Sequence, residues 1–333
     1  MSEEIIKAEG LTKVFNRHLT AVDHVNFSVK HGEIFGFLGP NGAGKTTTIN
    51  MLITILKPTE GRASVLGFDV AKQDSNVRDV IGVVPQEYTA DEDLTGLENV
   101  LLCADLYGIP RNIAKERAME LLKLVELTDF NDKKVQTYSG GMRRRLELAC
   151  GLINRPKVLF LDEPTLGLDV QTRIATWDYI RKLKKEYDMT LFMTTHYLEE
   201  ADALCDRVAI IDRGKIIVVG TPEELKHSLG GDLITLAIKE NEDVSGLIQK
   251  VEHVKEVRKE DGAYRIKAEI GEITTPFIIE ALRKKGYTVT KLSLTEPTLN
   301  EVYLEYTGKS IRDVEESREA FAAQRMTMRR ARQ

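Results

Sequence analysis

Residues 34–38, Ile-Phe-Gly-Phe-Leu, form an apolar run of strand length that ends at a glycine. The next eight residues, Gly39-Pro40-Asn41-Gly42-Ala43-Gly44-Lys45-Thr46, hold three glycines and lead into a helical pattern, with Ile49, Leu52, Ile53 and Leu56 at i, i+3, i+4, i+7. Few chains can pass from a buried strand to a helix through such a loop without using it. The spacing is G-x-x-x-x-G-K-[ST], in which glycines let successive backbone N–H groups turn inward around a phosphate. The helix N-terminus adds partial positive charge. Lys45 would reach the β- and γ-phosphates, and the Thr46 hydroxyl would ligate Mg²⁺.

Around this loop the periods alternate. Val25, Phe27 and Val29 read as a half-buried strand, and residues 81–84, 158–161 and 189–195 as buried strands. Helical faces fall at Ala118, Leu121, Leu122 and Val125, and at Leu146, Ala149, Cys150 and Ile153, with a further helix over 172–186. Strand and helix in turn predict an α/β fold on a mostly parallel sheet, with residues 95–154 as an inserted helical subdomain. Lys57-Pro58 is the expected stop of the first helix. Residues 208–211 and 215–219 read as paired strands around Asp212-Arg213-Gly214, and Thr221-Pro222-Glu223-Glu224 as a capping box. Gly230-Gly231 is the expected linker. Beyond it the order is β-α-β-β-α-β, with an Asp261-Gly262 hairpin and a helix after Thr275-Pro276, predicting a small ferredoxin-like α+β domain. The expected division is 1–228, 229–308 and an Arg-rich tail, 309–333.

Composition narrows the function. Lys and Arg total 47 against 52 Asp and Glu, a net charge of −5, which argues against coating a polyanion. Cys103, Cys150 and Cys205 are far apart in sequence and form no metal-ligand spacing, so neither a disulfide framework nor zinc is expected, and a reducing compartment fits. The most apolar window, 34–56, carries Lys45 at its centre and several glycines, which excludes a membrane span there. The acidic start Met-Ser-Glu-Glu is unlike a signal peptide.

Further motifs follow in order. Gln86 comes after the 81–84 strand, and Asp162-Glu163 ends the 158–161 strand. Gly167-Leu168-Asp169 and His196 lie beyond. Tyr138-Ser139-Gly140-Gly141-Met142 alone would pass as a helix cap. Together with the phosphate loop, these residues resemble the motif set of ATP-binding cassette proteins over residues 3–228. The end of the chain, Glu296-Pro297-Thr298-Leu299-Asn300-Glu301-Val302-Tyr303 with Thr307-Gly308, and the run Met142-Arg143-Arg144-Arg145 are similar to ATPase subunits of the daunorubicin-resistance type of exporter.

The resemblance implies a P-loop cassette that binds ATP with Mg²⁺ and hydrolyses it in a head-to-tail dimer. Gly39, Asn41, Gly42, Ala43, Gly44, Lys45, Thr46 and Thr47 would hold the phosphates. Ser139, Gly140 and Gly141 of the second copy would bind the γ-phosphate, and Asp169 would help to shape the opposite site. Asp162 and Gln86 would join Thr46 at Mg²⁺. Glu163 would activate water, His196 would bond the γ-phosphate, and Phe15 would stack on adenine. The family's commonest signature has leucine and glutamine at the positions of Tyr138 and Met142, and tyrosine at that of Phe15. None of these changes removes the Ser-Gly-Gly donors or the π-face.

A cassette without membrane spans implies a separate polytopic membrane subunit, received by the helical block and residues 87–110. Its place would be the cytoplasmic membrane face, and its direction export. The alternative is a soluble cassette acting on ribosomes or nucleic acid. Translation-type members resemble two cassettes in one chain and repair-type members carry long coiled coils, and neither pattern occurs here. Arg325, Arg329, Arg330 and Arg332 in the tail read as a solvated terminus or as a contact for anionic lipid.

Overall fold

The computed structural model describes residues 4–309 except 17, 230, 241, 261, 262 and 296. It divides into two units, Met1–Val219 and Gly220–Gln333. The Asp261-Gly262 turn and the Arg-rich tail beyond Lys309 lie outside the described residues.

In the first unit, β1 (Glu4–Phe15) and β2 (Leu19–Lys30) pair antiparallel, and β3 (Ile34–Leu38) leads into α1 (Lys45–Leu52). Next come β4 (Glu60–Val65), β5 (Phe68–Asp69), α2 (Asp74–Val80) and β6 (Ile81–Val84). The helical block is α3 (Gly96–Leu106), α4 (Arg111–Leu124) and α5 (Gly140–Leu152). Then follow β7 (Val158–Asp162), α6 (Val170–Tyr187), β8 (Thr190–Thr195), α7 (Leu198–Leu204), β9 (Arg207–Asp212) and β10 (Lys215–Gly220). One sheet has the order β2-β1-β4-β5 and is antiparallel; the other has the order β10-β9-β3-β8-β7-β6, with parallel pairing from β9 to β6.

The inward residues of β2 explain how the sheets join. Val25, Phe27 and Val29 are buried while Asn26 is exposed, as the two-residue period requires. Phe27 packs against Phe35 and Phe37 of β3 and Phe192 of β8, with the Phe27–Phe37 ring centroids 5.3 Å apart. Phe160 of β7 extends this aromatic core across the parallel sheet. Offset and tilted rings at such separations add to the burial of their area.

The register then sets the site. Leu38 lies beside Thr195, and Asp162 beside Thr194, so β3, β7 and β8 end together. Their three following loops emerge along one edge, the edge where open α/β sheets bind ligands.

One boundary differs from expectation here. Helix α1 stops at Leu52, short of Lys57-Pro58, because Thr54 takes a left-handed φ of 70° that a helix cannot continue through. All three cysteines, Cys103 on α3, Cys150 on α5 and Cys205 after α7, are free.

The second unit holds α8 (Pro222–His227), β11 (Asp232–Ile238), α9 (Ser245–Ile248), β12 (Val254–Glu260), β13 (Ala263–Ala268), α10 (Gly271–Lys284), β14 (Val289–Thr295) and α11 (Leu299–Thr307). Its antiparallel sheet has the order β12-β13-β11-β14, that of a ferredoxin-like fold. The Thr221 capping box forms as read, but α8 packs on α11 and so belongs to this unit; the division falls after Val219, not after residue 228. Helix α10 also starts earlier than Thr275-Pro276. Asp232 Oδ2 accepts the Gly271 N–H at 2.6 Å and secures the start, and the Thr274 and Thr275 hydroxyls donate back to Ile270 and Gly271 carbonyls.

Among the described residues, no helix is long and apolar enough to cross a membrane.

Candidate functional site

The phosphate loop is shaped by close backbone approach. At Gly39 an added Cβ would lie 2.2 Å from the Ile211 carbonyl oxygen. Gly44, at φ +109°, would place one 2.5 Å from the Ala21 carbonyl. Only glycine fits either place. Inside the turn, Lys45 Nζ donates to the carbonyls of Gly39 (2.7 Å) and Pro40 (3.3 Å) and is itself buried. Asn41, Gly42 and Thr46 remain exposed, Ala43 is buried, and Thr47 is half-buried on the first turn of α1.

Three ionisable groups from two strand ends meet at this lysine. Glu163 Oε1 lies 3.0 Å from Lys45 Nζ, and His196 Nδ1 lies 3.1 Å from Glu163 Oε2. Glu163 takes a left-handed φ of 48°, a conformation of order 1 kcal/mol or more uphill for a side-chain-bearing residue. The turn is held by Thr194, whose carbonyl and hydroxyl both accept the Glu163 N–H, at 3.2 and 3.0 Å. Beside it, Asp162 Oδ1 accepts from Thr46 Oγ1 at 3.3 Å and from the Thr194 hydroxyl.

The adjacent acids are tuned in opposite directions. Burial raises Asp162, although the Thr194 and Thr46 hydroxyls pull it back. Burial also pushes Glu163 upward, yet the His196 hydrogen bond and the Lys45 charge outweigh it and hold the carboxyl at about 2. A depressed carboxyl adds stability above its unfolded value of about 4.5, and loses it as pH falls toward 2. The span corresponds to about 3 kcal/mol. Acid unfolding of Glu163→Gln should therefore differ from the parent progressively less between pH 5 and pH 2; a constant difference across that range would contradict the depressed carboxyl.

The residues suit a nucleotide with Mg²⁺. Thr46 and Asp162 offer the hard oxygen donors that this ion prefers, and among the described residues no cluster of three or more acids, histidines or cysteines could hold a metal alone. Such a pair fits an ion that shares its coordination with phosphates.

The remaining predicted residues lie elsewhere on the unit. Ser139 caps α5, its Oγ accepting the Met142 N–H at 3.3 Å, and Ser139 and Gly140 are exposed. Gly141 meets α6, where its Cβ would lie 2.4 Å from Thr172 Cγ2. Asp169 caps α6, accepting from Thr172 N (3.0 Å) and Thr172 Oγ1 (2.6 Å), and these bonds lower its carboxyl. Gln86 follows β6 and is half-buried, with its carbonyl bonded by Arg144. Phe15 ends β1, half-buried, with Lys13 Nζ 5.4 Å from its ring centre. Tyr138 is buried and donates to the Phe130 carbonyl at 2.7 Å, occupying space that a Cβ on Gly96 would need; the two would be 2.3 Å apart.

Sequence reasoning missed Thr194, which bonds both acids. The signal was there in Thr194-Thr195, hydroxyls ending an apolar strand before His196. It also missed Arg144 and Glu147 on α5, because nothing local distinguishes them from surface charges of a helix.

Comparison with known proteins identifies the family. Residues 22–166 match the family described as ABC transporter, and residues 220–307 match the ATP-binding protein DrrA1-3-like C-terminal domain. The chain is 38% identical over 317 residues to the doxorubicin resistance ATP-binding protein DrrA of Mycobacterium tuberculosis, covering 91% of this chain and 93% of that one. It is 37% identical over 314 residues to the linearmycin resistance ATP-binding protein LnrL of Bacillus subtilis, covering 93% and 100%. Among solved structures, a dimeric ATP-binding cassette in a post-hydrolysis state, bound to ADP and Pi, matches with a TM-score of 0.58 and 30% identity, covering 65% of this chain and 98% of that one. The matched ranges take in the phosphate loop, the strand-end acids and the second domain, and the relatives are covered over nearly their whole length: the chain belongs to the ATP-binding, ATP-hydrolysing proteins of ABC transporters, in the group that carries the DrrA1-3-like C-terminal domain.

Proposed function

We propose that this chain is the ATP-driven half of an exporter, in which two copies close head to tail over two ATPs and pass the motion to a separate membrane-spanning polypeptide. The observation that carries the reading is the Lys45–Glu163–His196 constellation beside Asp162 and Thr46. Glu163, ionised and aimed by His196, takes the proton of the attacking water. Lys45 and the loop N–H groups bind the β- and γ-phosphates, and Gln86 orients the water. Thr46, Asp162 and Gln86 would hold Mg²⁺, which would draw charge from the phosphates.

Closure is supported by two exposed surfaces of matching chemistry. One is the phosphate loop at Asn41, Gly42 and Thr46; the other is the N-terminus of α5 at Ser139 and Gly140. That a similar cassette is dimeric with ADP and Pi bound supports pairing of two copies. A membrane partner is supported by exposed apolar residues on the helical block, Leu102, Tyr107, Ile113 and Leu106, the last 80% exposed. Export is supported by the drug-resistance relatives. The working place is then the cytoplasmic membrane face.

Tagged Glu163→Gln protein with Mg-ATP, recovered from gently solubilised native membranes, should bring down a chain with several hydrophobic spans. Recovery of ribosomes or nucleic acid without any membrane protein would leave an ATPase and remove the exporter.

A further inference from the structure

Residues 85–90 follow β6 and contain Gln86, whereas α5 begins at Ser139, Gly140 and Gly141. Three side chains join these segments. Arg144 is fully buried, and its Nη1 and Nη2 donate to the carbonyls of Pro85 (2.7 Å) and Gln86 (2.8 Å). The guanidinium lies over the Tyr88 ring, 5.0 Å from its centre, and Tyr88 Oη donates to the Gly140 carbonyl at 3.2 Å. One turn further, Glu147 accepts from Thr89 N (2.6 Å), Thr89 Oγ1 (2.8 Å) and Ala90 N (2.9 Å).

Such a set is too costly for filler. Burial works against the charge of Arg144, and neutral main-chain carbonyls return less than a carboxylate would. What the rigid fork supplies is orientation, because two nitrogens fix two successive peptide groups where a lysine would touch one. Glu147 does the same from its other side.

We propose that Arg144 is a positioning residue that makes residues 85–90 and the start of α5 one rigid piece, so that contact of Gln86 with one nucleotide moves Ser139-Gly140-Gly141 at the other. This rests on the paired-cassette reading above, in which Gln86 faces its own chain's nucleotide and the α5 N-terminus faces the partner's. The two sites then work cooperatively, and the coupling runs through the Arg144 fork and the Tyr88 hydroxyl.

The test is steady-state hydrolysis by the full chain as a function of ATP concentration. The parent should show a Hill coefficient above 1. In Arg144→Met it should fall to about 1, with kcat down about tenfold and half-saturating ATP changed by less than about twofold. Tyr88→Phe, which removes a single hydroxyl from a partly exposed ring, should fold normally and give an intermediate Hill coefficient. It decides the matter if Arg144→Met does not fold. A parent without cooperativity, or variants that keep both cooperativity and kcat, would overturn the coupling. Size exclusion of Glu163→Gln with Mg-ATP separates the two readings. A monomer removes the paired cassette and the coupling with it, whereas a dimer with unchanged cooperativity in the variants removes the coupling alone.

Discussion

Glu163→Gln should lower steady-state ATP hydrolysis by about 10²- to 10⁴-fold, the usual worth of a positioned general base, and leave ATP binding intact. The amide keeps the shape of the carboxylate and a hydrogen bond for His196, but it cannot take a proton from water. The phosphate loop is formed by glycine packing and by Lys45 bonds to Gly39 and Pro40, none of which the substitution touches. Bound nucleotide should therefore accumulate as unhydrolysed ATP in a trapped dimer, measured by phosphate release and size exclusion. Hydrolysis at the parent rate would remove Glu163 from the proton-transfer role.

Lys45→Ala should have the larger effect on stability. It deletes the loop's own donor to two carbonyls and leaves Glu163 buried without its cationic neighbour. Breaking a buried pair from one side costs about 3–5 kcal/mol. For a unit of this size that is a fall in Tm of about 10 °C. ATP binding should be lost as well, since the cation at the β/γ-phosphates is gone. Adding Glu163→Gln to Lys45→Ala should restore a good part of the lost Tm without restoring activity, because no unpaired carboxylate then remains. A double variant no more stable than the single would mean that the pair contributes little to the fold.

How much of this could be read from the chain depended on how local the cause was. The phosphate loop was legible because its glycines, Lys45 and Thr46 are contiguous and flanked by a strand and a helix. Asp162, Glu163 and His196 were legible as strand-end residues, and parallel pairing of β3, β7 and β8 brings them to one edge. The start of α10 was not legible, since it is secured by Asp232, 39 residues earlier. Nor was the end of α1, where a left-handed Thr54 stops the helix without a proline or glycine. Arg144 and Glu147 escaped for the same reason: their partners lie 57 to 59 residues away, and helical periodicity carries no information about them.

The Tyr138–Gly96 contact has a consequence for anyone transplanting signature sequences between relatives. A tyrosine moved alone into a chain with alanine at the position of Gly96 would collide with its methyl group. A leucine moved alone into this chain would leave the Phe130 carbonyl with only the Lys133 N–H of its two donors and open a hole beside α3. The two positions form an epistatic pair. Chimeras that exchange them together should tolerate the swap, and those that exchange either one alone should fail by misfolding of the helical block and not by any defect in ATP chemistry.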